Sequence, residues 1–155
     1  MCKECTKVHL SKYGRSQNYK SLANHRRRIM YANDSKYRLN NRLRKNISRT
    51  IVEGSKNGRH WETLVGYSID KLMRHLEKQF DGEMSWENYG IVWHIDHIVP
   101  LSALNFEKPE DRDFKIAWGL KNLRPLMASD NLRKGKTPLS PVQRSIIFNS
   151  KMGSK

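Results

Sequence analysis

Asp96 and His97 stand side by side in the segment IVWHIDHIV, a pairing that suits hydrolysis of a phosphodiester. Such a reaction needs a deprotonated water, neutralisation of charge on the phosphate, and stabilisation of the leaving oxygen. An imidazole with an ordinary pKa near 6.5 can take the proton at neutral pH. A hard divalent cation held by few oxygen donors can neutralise the phosphate. Asp96 and the side-chain carbonyl of Asn131 are donors of that kind. The Asp96-His97 pair alone is a weak signal, because such dipeptides arise by chance.

Ile91 to Val99 is rich in β-branched and aromatic residues and is stopped by Pro100, so it reads as a strand. Alternation along a strand sends His94 and Asp96 to one face and His97 to the other. His94 could therefore lie near a metal or a phosphate, or serve as a hydrogen-bonded strand histidine. Lys121 to Leu126 reads as a second strand. Ser129 caps a brief helix through Lys134, ended by Gly135. The connection from Leu101 to Leu120 holds a helical turn around Glu110 to Trp118. Lys134, one helical turn from Asn131, and Arg124 on the second strand are candidate phosphate ligands.

The stretch WHIDHIVPLS followed by KNLRPLMASDNLRKGK resembles the ββα-metal motif of HNH endonucleases. It is most like the small phage and mobile-element group, and similar to the HNH domain of RNA-guided CRISPR nucleases. The likeness extends upstream through HLEKQFDGEMSWENYG and covers roughly residues 67–136. The resemblance implies His97 as general base and Asp96 as metal ligand. It also implies Asn122 as the middle residue of the catalytic motif, bracing the loop between the strands, and Asn131 as a ligand in place of the last histidine. The cofactor it implies is one divalent ion, magnesium or manganese. The activity it implies is nicking or double-strand cleavage of DNA by a phage-encoded, homing-type enzyme. The alternative is a non-catalytic nucleic-acid-binding protein on a nuclease-derived scaffold.

The elements that must position these residues are legible in the pattern of apolar positions. Ser68 reads as the N-cap of a helix running to Phe80, with Ile69, Leu72, Met73, Leu76 and Phe80 facing a core. Trp86, Tyr89 and Trp93 read as core aromatics, and His75 as a packing or surface residue. Upstream, Gln17 to Val52 reads as two helical pieces broken near Asn33-Asp34. Leu39, Leu43, Ile47 and Ile51 form an apolar stripe in the second piece.

Charge points to the partner. Lys and Arg outnumber Asp and Glu by 30 to 15, and residues 1–60 hold 16 of those basic groups but only 3 of the acidic ones. Arg38, Arg42, Lys45 and Arg49 run beside the apolar stripe without acidic residues to pair with, and Arg26, Arg27 and Arg28 cluster earlier. Double-stranded DNA is the expected partner, because neutralising phosphates releases counterions. No apolar run approaches the roughly 20 residues that span a bilayer, and no signal-peptide pattern opens the chain. The reading expects a protein of the cytoplasm with no membrane partner, and leaves monomer and homodimer open.

Cys2 and Cys5 form a single CxxC, half of a four-ligand zinc site. The pair resembles the second half of a zinc module found in longer relatives. With the first half absent, structural zinc is not expected and the chain reads as a shortened or late-starting one. The expected fold is α+β: a ββα-metal nuclease core over residues 61–136, a basic, mainly helical extension over 1–60, and a short tail over 137–155.

Overall fold

Asp34 interrupts what is otherwise a continuous helical stretch. A helix over residues 19–33 (α1) ends there, and a second, α2, spans Ser35–Thr50. The Asp34 carboxylate accepts the Tyr37 amide at 2.8 Å, capping the new helix as short acidic side chains do. The computed structural model describes residues 19–134. The CxxC and the tail from residue 135 onward lie outside that range, so the expectations for Cys2, Cys5 and the short tail fall outside it too.

The chain divides into two compact units, residues 1–39 and 40–155, with the division inside α2. The expected boundary near residue 60 is therefore displaced. Residues 40–60 belong to the larger unit because they bond to its later elements. The Trp61 indole donates to Asn40 Oδ1, the Trp118 indole to Thr50 Oγ1, and the Val52 amide to the Glu107 carbonyl. Leu43, Ile47 and Ile51, three members of the apolar stripe, are buried.

A short helix, α3 (Trp61–Val65), comes after a loop that passes through Gly54 and Gly58. Gly66 ends it in the left-handed conformation at φ 77°, which a residue without Cβ adopts at little cost. Ser68 caps α4 (Ile69–Glu77) by accepting the Lys71 amide. This helix stops a turn before Phe80, whose ring instead leaves the helix and packs against Trp86 and Trp93. With Tyr89 these rings form one aromatic cluster, and the Trp93 indole donates to the Ser85 carbonyl. His75 donates to the Leu123 carbonyl at 2.9 Å, joining α4 to the sheet.

The sheet has two antiparallel strands, β1 (Trp93–His97) and β2 (Leu123–Met127), with Asp96 opposite Arg124 and His94 opposite Leu126. Both are shifted or shorter than the sequence suggests. Ile91 and Val92 lie in a turn, while Ile98 and Val99 leave the ladder to bond with Asn122. Leu120–Asn122 winds into a 3-10 turn before β2 begins. Between the strands lies α5 (Arg112–Ala117), within the expected helical turn. Finally α6 (Ala128–Lys134) starts directly from β2. Ser129 sits inside its first turn rather than capping it, since the helix begins at Ala128, whose amide donates to the Val92 carbonyl at 2.8 Å. The described residues are thus α+β, and no helix among them is long and apolar enough to cross a membrane.

Asn122 holds the two ends of the connecting segment together. Its side chain accepts the Val99 amide at 2.7 Å and donates to the carbonyls of Val99 at 3.2 Å and Ala117 at 3.0 Å. It is 2% exposed. Removing a buried amide strands each of its partners without water to replace it. Asn122→Ala is accordingly expected to cost about 3 kcal/mol in a urea unfolding titration; a loss well under 1 kcal/mol would mean the loop is held by something else.

Candidate functional site

Two spacings meet on one face of the sheet. Residues two apart on a strand share a face, and residues three apart on a helix do the same. On β1 those are His94 and Asp96; on α6 they are Asn131 and Lys134. The Asn131 amide nitrogen lies 3.3 Å from His94 Nδ1. The Lys134 ammonium lies 2.8 Å from both carboxylate oxygens of Asp96. An amide nitrogen has only hydrogens to offer, so His94 Nδ1 accepts there. That leaves the Asn131 carbonyl for another partner.

Asp96 is 8% exposed, and a buried carboxylate needs compensation. It receives two cations. Arg124, its neighbour across the ladder, donates from Nε to Oδ2 at 3.0 Å, and Lys134 closes from the helix. Arg124 and Lys134, which the sequence offers to phosphates, both lie on this carboxylate here, because a buried charge is the nearer and drier anion.

His97 projects to the other face, as alternation requires. Its ring meets Trp118 edge-on with centroids 4.9 Å apart. Its Nε2 is buried with no hydrogen-bond partner, which is uncommon for a buried polar atom. Burial pushes the imidazole down to about 4, against the pull of Asp96 and with the help of Lys134. The ring is therefore neutral at neutral pH, the form that can accept a proton.

Asp96, His97, Asn131 and Lys134 line one cavity of about 280 Å³, together with Ile95, Pro100 and Leu101. The first strand, the loop after it and the last helix thus converge as the sequence spacing suggests. Asn122 does not line it: its amide is consumed by main-chain groups. It holds the loop that carries Val99 to the end of the connecting helix.

A second groove of about 490 Å³ adjoins the first through Asn131. Arg42, Lys45, Asn46 and Arg49 of α2 line it, facing Tyr89, His94 and Ile95. The Arg42 guanidinium sits 5.0 Å over the Tyr89 ring. It also fills the space above Gly90, where a Cβ would collide with it. Gly90 has φ 88°, so both its conformation and its missing side chain are used. Arg38, grouped with this stripe in the sequence, donates instead to the Tyr31 carbonyl at 3.1 Å. Arg26, Arg27 and Arg28 are exposed on α1 in the other unit. Trp118, Tyr89 and Asn46 are site residues that the sequence does not single out as such. Trp118 belongs to the connecting segment, where no periodicity marks which side chain turns inward.

The resemblance to the ββα-metal motif implies a divalent ion here. Among the described residues no three His, Cys, Asp or Glu side chains cluster as a metal site. The donor set is one carboxylate, Asp96, with the Asn131 amide and the His94 ring beside it. That set fits a hard ion that keeps most of its waters, and it has a single negative charge to offer.

No family model matches the chain, and no solved structure matches it. It is similar to two proteins of Acanthamoeba polyphaga mimivirus. One is "Uncharacterized protein L426", 33% identical over 109 residues, covering 70% of this chain and 47% of that protein. The other is "Uncharacterized protein L246", 30% identical over 105 residues, covering 68% of this chain and 45% of that protein. The chain therefore spans just under half the length of these relatives.

The position of His97 has a thermodynamic consequence. Its pKa falls from 6.5 in the unfolded chain to about 4 in the folded one. Above 6.5 the ring is neutral in both states. Between those values only the unfolded chain takes up the proton, so stability is lost as pH falls. The contribution is about 3 kcal/mol when complete. Unfolding titrations in metal-free buffer are expected to show wild type losing stability over this window more steeply than His97→Gln or His97→Leu. Parallel pH profiles would mean the ring is solvated.

Proposed function

We propose that this protein is a metal-dependent DNA endonuclease of the HNH type, with His97 as general base and Asp96 and Asn131 as the residues that hold one divalent ion. The observation that carries the reading is that Asp96, His97 and Asn131 line a single cavity. They do so on a strand, strand, helix unit whose sequence resembles the ββα-metal motif.

Their roles come from their chemistry. Neutral His97 offers Nε2 as an acceptor, and the Trp118 ring packed against the imidazole fixes where that nitrogen aims. A water oxygen attacks phosphorus as its proton passes to the imidazole, and the bond to the leaving sugar oxygen breaks. A bound magnesium or manganese ion would supply charge neutralisation at the phosphate and the leaving oxygen. Asn131 is oriented by His94, so its carbonyl is directed before the reaction begins. Asn122 keeps the turn after β1 in place through Val99 and Ala117. Arg42, Lys45 and Arg49 flank the cavity as a run of positive charge matched to a phosphate backbone.

A second reading is a nucleic-acid-binding protein without catalysis. It is favoured by the cations that already cover Asp96 and by the burial of His97 Nε2. The two readings part in one experiment. Supercoiled plasmid with magnesium or manganese is expected to be nicked by wild type. Nicking should stop with chelator and fall at least about a hundredfold in His97→Ala. Binding without any metal-dependent product would leave only the non-catalytic reading.

The groove makes its own prediction. Replacing Arg42, Lys45 and Arg49 by Gln is expected to weaken duplex binding. Its dependence on salt should flatten by about 0.9 in log–log slope for each phosphate no longer neutralised. Arg38→Gln, whose guanidinium is spent on a main-chain carbonyl, should leave the slope unchanged. A triple variant with the wild-type slope would show that the groove does not carry the backbone.

A further inference from the structure

Three oxygens converge on one ammonium. Lys134 Nζ lies 2.8 Å from Asp96 Oδ1, 2.8 Å from Asp96 Oδ2 and 2.6 Å from the His97 carbonyl oxygen. An ammonium has three hydrogens, and here it meets three acceptors. The side chain is only 18% exposed, so this is not a loose surface pairing. The same carboxylate oxygens are what a divalent ion at Asp96 would take, since hard cations seek carboxylate and carbonyl oxygen. Arg124 already shares this carboxylate with Lys134, so a divalent ion entering beside both would meet the repulsion of two cations over a single negative charge.

We infer that Lys134 is a tethered counter-ion that occupies Asp96 until nucleic acid arrives, so that metal binding and DNA binding depend on each other. The inference rests on the nuclease reading. Among the described residues lining the cavity, Asp96 is the one carboxylate. A metal displacing Lys134 therefore gains one negative charge and must leave an ammonium uncompensated. That exchange is unfavourable while the cavity holds only water. A phosphate entering from the basic groove changes both sides of it. The phosphate adds anionic oxygens for the metal, and it offers the displaced ammonium a second anion. The four-carbon stem of lysine gives Nζ the reach to change partners, which an arginine fork would not do as readily. Arg124 stays on Oδ2 through the ladder register and keeps the carboxylate oriented. The benefit is that the site loads metal only where a scissile linkage is present.

The test measures metal binding and not turnover. Free Mn²⁺ is followed by electron paramagnetic resonance on the full chain, first without nucleic acid. Lys134→Gln and Lys134→Met remove the charge, and the methionine keeps an apolar stem of similar length. Both are expected to bind Mn²⁺ about tenfold more tightly than wild type, the scale on which neighbours of a metal ligand act. Lys134→Arg, which keeps the charge, should bind no more tightly than wild type.

A short duplex of arbitrary sequence is then added to the His97→Ala protein, so that it is not consumed. It is expected to tighten Mn²⁺ binding about tenfold while Lys134 is present, and by much less once Lys134→Gln is added. Equal Mn²⁺ affinity in wild type and both neutral variants, or a duplex that leaves affinity unchanged, overturns the inference. Plasmid nicking by wild type keeps the two proposals apart. Nicking with unaltered metal affinity in the variants removes the role of Lys134 alone. The absence of both nicking and Mn²⁺ uptake in every protein removes the nuclease reading with it.

Discussion

A carboxylate taken out of water must find positive charge, and the environment of Asp96 is organised by that demand. At 8% exposure the group cannot rely on solvent, and leaving it alone would cost more than the net stability of a small fold allows. The antiparallel register brings Arg124 opposite it. The helix that leaves β2 without a linker brings Lys134 over it. Strand, strand and helix are thus joined by one side chain as well as by the ladder, and a slip of one residue in register would send Asp96 to the wrong face.

The second anchor is neutral. Asn122 sits where the chain turns into β2, and its amide reads the backbone of Val99 and Ala117. It therefore fixes the segment just beyond His97 and the end of α5 together. Trp118, directly after Ala117, then stands against the His97 ring. The Tyr67 hydroxyl holds Trp118 from behind by donating to its carbonyl at 2.7 Å. Support thus passes from the loop before α4 through Tyr67 and Trp118 to the imidazole. His97 is half-buried, its Nε2 taken out of water by packing that has nothing to do with its ionisation, and its low proton affinity is the consequence.

Much of this is legible in the sequence because the relevant signals are local. The break at Asp34, the Ser68 cap and the stripe through Leu43, Ile47 and Ile51 each come from one residue's chemistry or one period. The strand containing Asp96 and His97 is legible for the same reason, and so is the separation of their faces. The ends of the strands are not. Ile98 and Val99 have the composition of a strand but are drawn off by a long-range amide, Asn122, which no window of neighbouring residues contains. The fates of Arg124 and Lys134 are illegible for a related reason. Their charge is visible in sequence, but whether a cation meets solvent, phosphate or a buried carboxylate depends on what lies opposite. Arg38 repeats the lesson on α2, where it shares a period with Arg42 and yet serves a main-chain carbonyl.

Sequence-wide charge therefore overstates what is available to a polyanion. The formal +15 counts Arg38 and Arg124, whose cationic groups are engaged within the molecule. Arg42 is held between an aromatic ring and a glycine, which fixes its position without neutralising it. A fixed cation beside a cavity loses less entropy on meeting a phosphate than a free surface lysine does. The groove beside His94 and Asn131 thus pairs one pre-placed guanidinium with Lys45 and Arg49, whose long side chains can follow a moving target. That combination suits a ligand whose backbone must be registered at one linkage and merely attracted along the rest.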